Sequence, residues 1–284
     1  MIYLTHIFCY GGILKLINNL SPENIMHYVK TNIPLDITVH KSVTSTNTLL
    51  KEAAQSGAKE GTVIVAENQT MGRGRLGRSF HSPADTGIYF SILLRPKIDP
   101  NDSLFLTTSA AVATAKAIED VKDCTALIKW VNDIYIDNKK VCGILTEGAF
   151  KAESSELDYA IVGIGINLKT PDGDFPDDIK NKAGAVFSKD EDITDVKSKL
   201  IAYVLNYFFY YYENLSSKAF FKEYKERSFL LGQEISILDS KGPIPATAID
   251  LDENCHLIVK LSDGTIKELS SGEVSVIMNS VLQP

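Results

Sequence analysis

Cysteine is scarce: the four cysteines among 284 residues, Cys9, Cys124, Cys142 and Cys255, include no CxxC pair. That spacing offers neither a zinc knuckle nor a redox motif, and it reads as reduced thiols in the cytosol. A membrane-spanning run is missing as well. The apolar stretch at 7–17 is about half of the ~20 residues that a bilayer helix needs, and Lys15 interrupts its end. It also lacks a basic lead-in and a small-residue cleavage site, so it does not read as a secretory leader. Positive charge is not in excess either. A formal net charge of -7 argues against a general nucleic-acid binder, because phosphate-backbone binding needs a concentrated basic face. Repeats and low-complexity tracts do not occur.

What is present is ordinary for a soluble globular chain: 44% hydrophobic and 23% charged residues, with enough length for one large domain and a small appendage. Residues 46–56 read as a helix, with Leu49, Leu50, Ala53 and Ala54 at helical spacing and Gly57 as the stop. TVIVAE at 62–67 and IYFSILLR at 88–95 read as strands. An alanine-rich helix over 104–121 leads into a strand at 126–131. Strands at 134–136 and 141–147 follow, joined through Asp137-Asn138, residues that tolerate turn geometry. YAIVGIGI at 159–166 is a further core strand, and 195–214 and 218–226 are amphipathic helices rich in tyrosine and phenylalanine. From Gly232 the pattern changes to short strands at 234–238, 246–251, 256–261, 265–269 and 274–277, separated by turns such as 239–245, as expected for a small β-barrel. The expected organisation is an N-terminal extension of unassigned role at 1–40, a main domain at 41–231 and a barrel at 232–284.

Three clusters carry chemistry. GRGRLGR at 72–78 interleaves three glycines with Arg73, Arg75 and Arg78 between two strands. Glycines let backbone N–H groups approach an anion, and arginines supply forked, permanently charged donors. The run satisfies GxGxxG but precedes no obvious helix, and GxxxxGK[ST] is absent, so a solvated basic turn fits the spacing equally well. The second cluster, KWVND at 129–133 with Lys139 and Lys140 beyond it, brings an amide, a carboxylate and two lysines toward one mouth. Such groups offset charge on phosphate and position nucleophiles or magnesium. On its own it also fits a plain turn whose lysines face water. The third, Gly163-Ile164-Gly165-Ile166-Asn167, clears side chains from one face of a strand, for a flat ligand or for close packing.

Taken in order, TSTN (44–47), AENQ (66–69) with GRGRLGR and Ser82-Pro83, KWVND, KKVCGILTE (139–147) and VGIGIN (162–167) resemble the catalytic domain of the biotin protein ligases. The detailed likeness runs from about 43 to 167 and more loosely to 277. It implies an α+β fold in which helices flank a central mixed β-sheet, related to class II synthetases and lipoate ligases, with a small C-terminal β-barrel. It also implies an enzyme that forms C–N bonds: biotin and ATP give biotinyl-5'-AMP, and biotin passes to a lysine of a biotin carboxyl carrier domain, with Mg2+ held by the ATP phosphates.

By the same resemblance Ser45, Thr46, Gln69, Gly72 and Arg73 enclose biotin and the adenylate. Gly143, Gly163 and Gly165 supply backbone to the biotin pocket. Arg75 and Arg78 belong to a loop that folds over the intermediate, and Lys140 meets the biotin carboxylate and the α-phosphate. Asn132, Asn167 and Phe80 lie on the nucleotide side, and Asp133 handles the incoming lysine. Three positions depart from the family pattern: Val131 replaces proline, Leu76 arginine and Phe80 tryptophan. About forty residues precede TSTN without a convincing pair of DNA-reading helices, so a form without the repressor's DNA-binding domain, and no specific DNA binding, is expected. The sequence leaves a homodimer open. The competing readings are a lipoate or octanoate ligase of the same fold and a non-catalytic biotin sensor or DNA-binding regulator.

Overall fold

The computed structural model describes residues 20–151, 156–193, 195–239 and 242–276. The apolar stretch at 7–17, Cys9, part of the turn at 239–245 and the final residue of the strand expected at 274–277 lie outside the described residues.

A seven-stranded mixed sheet organises the larger part of the chain. Its strands are β1 (Asp36–His40), β2 (Thr62–Ala66), β3 (Gly87–Leu94), β4 (Leu127–Lys129), β5 (Asp133–Ile136), β6 (Lys139–Phe150) and β7 (Leu157–Asn167), in the order β1-β2-β3-β7-β6-β5-β4. β1 pairs parallel to β2, and every other neighbouring pair is antiparallel. The β5–β6 turn is closed by Asp137 and Asn138, both at positive φ (49° and 60°), as a two-residue hairpin of right-handed twist requires.

Side-chain parity assigns the two faces. Val63, Val65, Phe90, Ile92, Ile134, Cys142, Val162, Ile164 and Ile166 point into one large core. Covering it are α1 (Pro22–Tyr28), α3 (Leu104–Glu119), α4 (Val196–Glu213) and α5 (Phe221–Arg227). α3 is buried almost all round, because it lies between the sheet and α4. Each fully buried Ile or Leu here contributes about 1.5–3 kcal/mol. Among the described residues the one helix on the opposite face is α2 (Thr46–Gln55), whose Leu50 and Ala54 pack on Ile64, Leu93 and Ile161. The rest of that face lies open, and it is where the polar motifs gather.

β1 and α1 were not anticipated. Both fall within the stretch read as an extension, yet β1 is a full member of the sheet and α1 packs on α4. α1 is seven residues long, too short for its periodicity to register, and β1 carries Asp36 and His40 on a sheet edge, where polar residues are tolerated. The strand expected at 126–131 is shorter than its apolar run, because the chain turns at Trp130 to reach β5. A second, antiparallel sheet follows, with β8 (Glu234–Asp239), β9 (Gly242–Leu251), β10 (Leu257–Leu261), β11 (Ile266–Leu269) and β12 (Val274–Val276) in the order β11-β10-β9-β8-β12. It is the small barrel-like unit expected from the strand spacing. The Trp130 indole N–H donates to the Cys255 carbonyl at 2.9 Å and ties it to the larger sheet.

Candidate functional site

The open face of the sheet floors a cavity of about 900 Å3. Lys129, Asp133, Tyr135, Gly143, Leu145, Gly163 and Gly165 all line it. Strand parity explains most of this set, since core-facing Ile128, Ile134, Cys142, Ile144, Val162 and Ile164 alternate with them. Lys140 does not follow by parity, because residues 140 and 143 of a regular strand would face opposite sides. A register shift between Ile134 and Tyr135 pairs Ile134 with Cys142 but Tyr135 with Lys140. Val141 is the extra residue, buried in the core beside Cys142, and the bulge puts Lys140 on the same face as Gly143.

At the wall formed by the start of α2, the Thr46 backbone N–H donates to Gln69 Oε1 at 2.9 Å and its hydroxyl reaches the same oxygen at 3.2 Å. Gln69 Nε2 in turn donates to Ser82 Oγ at 3.0 Å. Behind them the buried Ser91 hydroxyl sits 2.7 Å from Thr46 Oγ1 and 2.6 Å from Asn47 Oδ1. Asn47 Nδ2 donates to Glu147 Oε2 at 2.8 Å. Ser45, the residue preceding α2, is also buried and lines the cavity. This chain of bonds fixes the side chains of Thr46, Asn47, Gln69, Ser82 and Ser91 at the wall.

On the other side, Lys140 Nζ lies 2.8 Å from Asp133 Oδ1. Asn132 Nδ2 donates to that same oxygen at 3.0 Å and to the Ile144 carbonyl at 2.8 Å. Lys129 is the register partner of Asp133 across β4 and β5, and burial pushes its ammonium below the ordinary lysine range; Asp133 and Glu273 pull it back, while Lys140 and Lys182 depress it further. Asn167 Nδ2 donates to the Gly184 carbonyl at 3.0 Å and holds the 181–184 segment against the rim.

The arginine loop arches over this floor. The Phe80 N–H donates to the Gly72 carbonyl at 2.9 Å and the Gly74 N–H to the Arg78 carbonyl at 2.7 Å, so the loop is a narrow finger. Its tip is a three-residue 3-10 turn, Arg75–Gly77, with Leu76 at φ 55° and 68% exposed. Arg73 pairs with Glu147 at 3.0 Å and Arg78 with Glu273 at 2.6 Å. Arg75 bridges the Asn132 side-chain oxygen and the Gly272 carbonyl, each at 2.9 Å. The finger thus touches both the larger sheet and the barrel.

Against this geometry, the Biotin/lipoate A/B protein ligase family profile matches residues 39–167 and the Biotin protein ligase C terminal domain profile residues 230–276. The Bifunctional ligase/repressor BirA of Bacillus subtilis is 31% identical over 268 residues, 93% of this chain and 81% of that protein. The chain belongs to the biotin protein ligase family. The Biotin--[acetyl-CoA-carboxylase] ligase of Mycobacterium tuberculosis is 27% identical over 239 residues, covering 81% of this chain and 85% of that one. The biotin protein ligase from Aquifex aeolicus in complex with biotin and ATP superposes with a TM-score of 0.65 at 32% identity, over 85% of this chain and 98% of the other.

In this biotin protein ligase family member, Ser45, Thr46, Gln69, Arg73, Arg75, Arg78, Phe80, Asn132, Asp133, Lys140, Gly143, Gly163, Gly165 and Asn167 all line the one cavity. Gly72 does not. It is buried behind the wall, where a Cβ would lie 2.3 Å from the Phe80 carbonyl and 2.6 Å from Ser82 Oγ, so its role is to let the base of the finger close. The strand glycines are packed against protein side chains, the close-packing one of the two alternatives that the sequence left open. A Cβ at Gly163 would lie 2.0 Å from Asn47 Oδ1, and one at Gly165 2.6 Å from the Phe80 ring, which also covers Gly143. The slot is filled because an empty apolar slot forfeits dispersion contacts. Sequence reasoning quoted Asn47 and Glu147 only as members of motifs, without a role, and passed over Ser91 and Glu273, whose importance is as partners across the fold, and Lys182, which sits in a segment without a motif.

Proposed function

We propose that this chain is an ATP-dependent biotin protein ligase, which condenses biotin with ATP to biotinyl-5'-AMP and passes biotin to a lysine of a carboxylase's biotin carrier domain. One observation carries the reading. Motifs spread over more than a hundred residues converge on a single cavity whose one wall presents fixed amide and hydroxyl groups and whose other wall is cationic.

The polar wall of Thr46, Gln69 and Ser45 suits the ureido ring of biotin, because a planar ligand with paired donors and acceptors needs partners that do not rotate away. Lys140 and the arginine finger stand where the biotin carboxylate would meet the α-phosphate, two anions whose approach demands cationic donors. The carboxylate oxygen attacks phosphorus, and the bond to the bridging oxygen breaks as pyrophosphate leaves. Arg75 and Arg78, with Phe80, Asn132 and Asn167, lie on the nucleotide side. Closure of the finger shields the mixed anhydride from water. In the second step the acceptor amine attacks the acyl carbon, AMP leaves, and Asp133 stands ready to accept the proton of that amine.

Magnesium would arrive with the triphosphate and would draw charge from the phosphates; among the described residues Asp133 and Asp178, the cavity-lining carboxylates apart from Arg78's partner Glu273, would hold it. No described helix is long and apolar enough to cross a membrane.

Incubating the protein with labelled biotin, ATP, magnesium and a biotin carrier domain tests the reading, with lipoate and octanoate in parallel. Biotin-dependent pyrophosphate release and a labelled carrier lysine are expected. Labelling by lipoate or octanoate in preference to biotin would replace the biotin reading, and biotin binding without pyrophosphate release would reduce the protein to a sensor.

A further inference from the structure

The cavity holds more positive charge than an α-phosphate needs. Arg73, Arg78 and Lys140 each face a carboxylate of their own. Lys129 and Lys182 do not: among the described residues neither ammonium is in ion-pair or hydrogen-bond contact with a carboxylate, although both residues line the cavity. Lys129 is half-buried on the sheet floor. Lys182 comes from the 175–184 segment, which is fastened to the strand bearing Lys140: the Lys140 N–H donates to the Lys182 carbonyl at 2.8 Å and the Gly184 N–H to the Lys140 carbonyl at 2.9 Å. Lys139 Nζ adds a bond to the Asn181 carbonyl at 2.7 Å. A Cβ on Gly184 would lie 2.4 Å from that of Lys139, so the segment can seat there only with glycine at this position. The result is a rigid rim that carries a cation beside the reaction zone. Lys129, Lys140 and Lys182 all line this cavity, and the charges of Asp133 and Glu273 as well as those of Lys140 and Lys182 reach Lys129.

Lys182 is exposed, so the cost of gathering like charges falls chiefly on the half-buried Lys129, and an anion that completes the set offsets it. We propose that Lys129 and Lys182 form the subsite for the β- and γ-phosphates of the nucleotide and for the pyrophosphate they become, an assignment that rests on the ligase reading above. When the carboxylate oxygen bonds to the α-phosphorus, the electron pair of the broken bond stays on the bridging oxygen and the leaving group gains charge. Two lysines without carboxylate partners at that end stabilise the leaving group and leave the later acyl transfer untouched.

The test separates the two half-reactions. Pyrophosphate release is measured against ATP at saturating biotin, and acyl transfer is measured from pre-formed biotinyl-5'-AMP to a carrier domain. Lys182→Ala and Lys129→Gln should each raise the KM for ATP by about tenfold, the loss of one charge-assisted contact, and weaken inhibition by inorganic pyrophosphate in proportion. Biotin affinity and transfer from the pre-formed adenylate should stay at the wild-type level. Lys182→Arg should restore the ATP KM. Lys180→Ala, on the same segment but outside the cavity lining, should behave as wild type. Both folded variants keeping an ATP KM within about twofold of wild type would overturn the subsite, as would a Lys182→Ala protein whose defect lay in the KM for the carrier domain. Wild-type protein that released no pyrophosphate would instead remove the ligase reading itself, and the subsite with it.

Discussion

Two clusters of charged side chains lie on opposite sides of the seven-stranded sheet, and they are wired differently. On the helical side, all five N–H donors of Arg227 are used: to Glu119 twice at 2.8 Å, to Glu223 at 2.7 and 3.1 Å, and to the Ala126 carbonyl at 3.0 Å. Lys116 closes the set on Glu223 at 3.2 Å. There, two cations meet two carboxylates and the local charge cancels. On the cavity side Arg73 and Arg78 make single-partner pairs with side chains 46% and 62% exposed, and among the described residues Lys129 and Lys182 make no ion-pair contact with a carboxylate. Exposed pairs of that kind are worth only ~0–1 kcal/mol, so an incoming phosphate, which offers stronger charge-assisted bonds, can displace their carboxylates. The first cluster is scaffold and the second is a surface prepared for exchange, although both use the same residue types.

The sharpest way to break this contrast is Lys140→Ala. Loss of one fixed donor from the site of developing charge should lower the rate of pyrophosphate release by about 10²–10³-fold, with the melting temperature unchanged. An undiminished rate would take Lys140 out of the chemistry. Next in size is Arg227→Ala, which leaves half-buried Glu119 without its ion-pair partner and Glu223 with Lys116 alone, and should destabilise the fold by about 3 kcal/mol in urea unfolding while the KM for ATP holds. A stability loss below about 0.5 kcal/mol would make this cluster no more structural than the other.

Acid sharpens the same point. Burial raises the pKa of Glu119 and Glu223, but the Arg227 bonds and charge outweigh it and hold both carboxyls below their ordinary 4.5. Their stabilisation is therefore complete above pH 4.5 and is lost as the pH falls through the lowered folded values. Unfolding free energy measured down this range should fall more steeply for wild type than for an Arg227→Ala protein.

A third variant, Gly163→Ala, joins wall and scaffold. Its methyl would collide with Asn47 Oδ1, forcing apart the Asn47–Ser91–Thr46 set. About 1–3 kcal/mol of stability should go, together with weaker biotin binding by titration calorimetry; intact binding would detach the glycine from the site. The smallest effect is expected for Arg75→Ala. The finger loses its bridge to Asn132 and Gly272, and pre-formed adenylate should escape about tenfold faster, close to 1.4 kcal/mol. An unchanged escape rate would mean the finger does not retain the intermediate.

Much of this was legible from the chain. Alternation along IYFSILLR and YAIVGIGI distinguishes the helical face of the sheet from the face that bears Ser91, Gly163 and Gly165, since side chains alternate strictly in a strand. The arginine run was visible as a loop between strands, but its spacing fitted a solvated basic turn equally well, and only the family resemblance made it a loop that folds over the site. Other parts were silent. Glu147 and Glu273 look like any surface acid until Arg73 and Arg78 are laid beside them, across 74 and 195 residues. Gly72 looked like part of an anion loop, whereas its missing Cβ serves the closure of the finger's base.

Local chemistry by itself determined the turn at Asp137-Asn138, the buried α3, the strand faces and the list of groups fit to handle phosphate, because each depends on neighbours a few residues away. Whether those groups meet was decided only by the tertiary structure. The bulge at Val141 turns Lys140 to the cavity, the 181–184 segment seats Lys182 beside it, and the barrel offers Gly272 and Glu273 to the finger. These are long-range placements, set by how sheets and segments pack, and no short stretch of sequence encodes them.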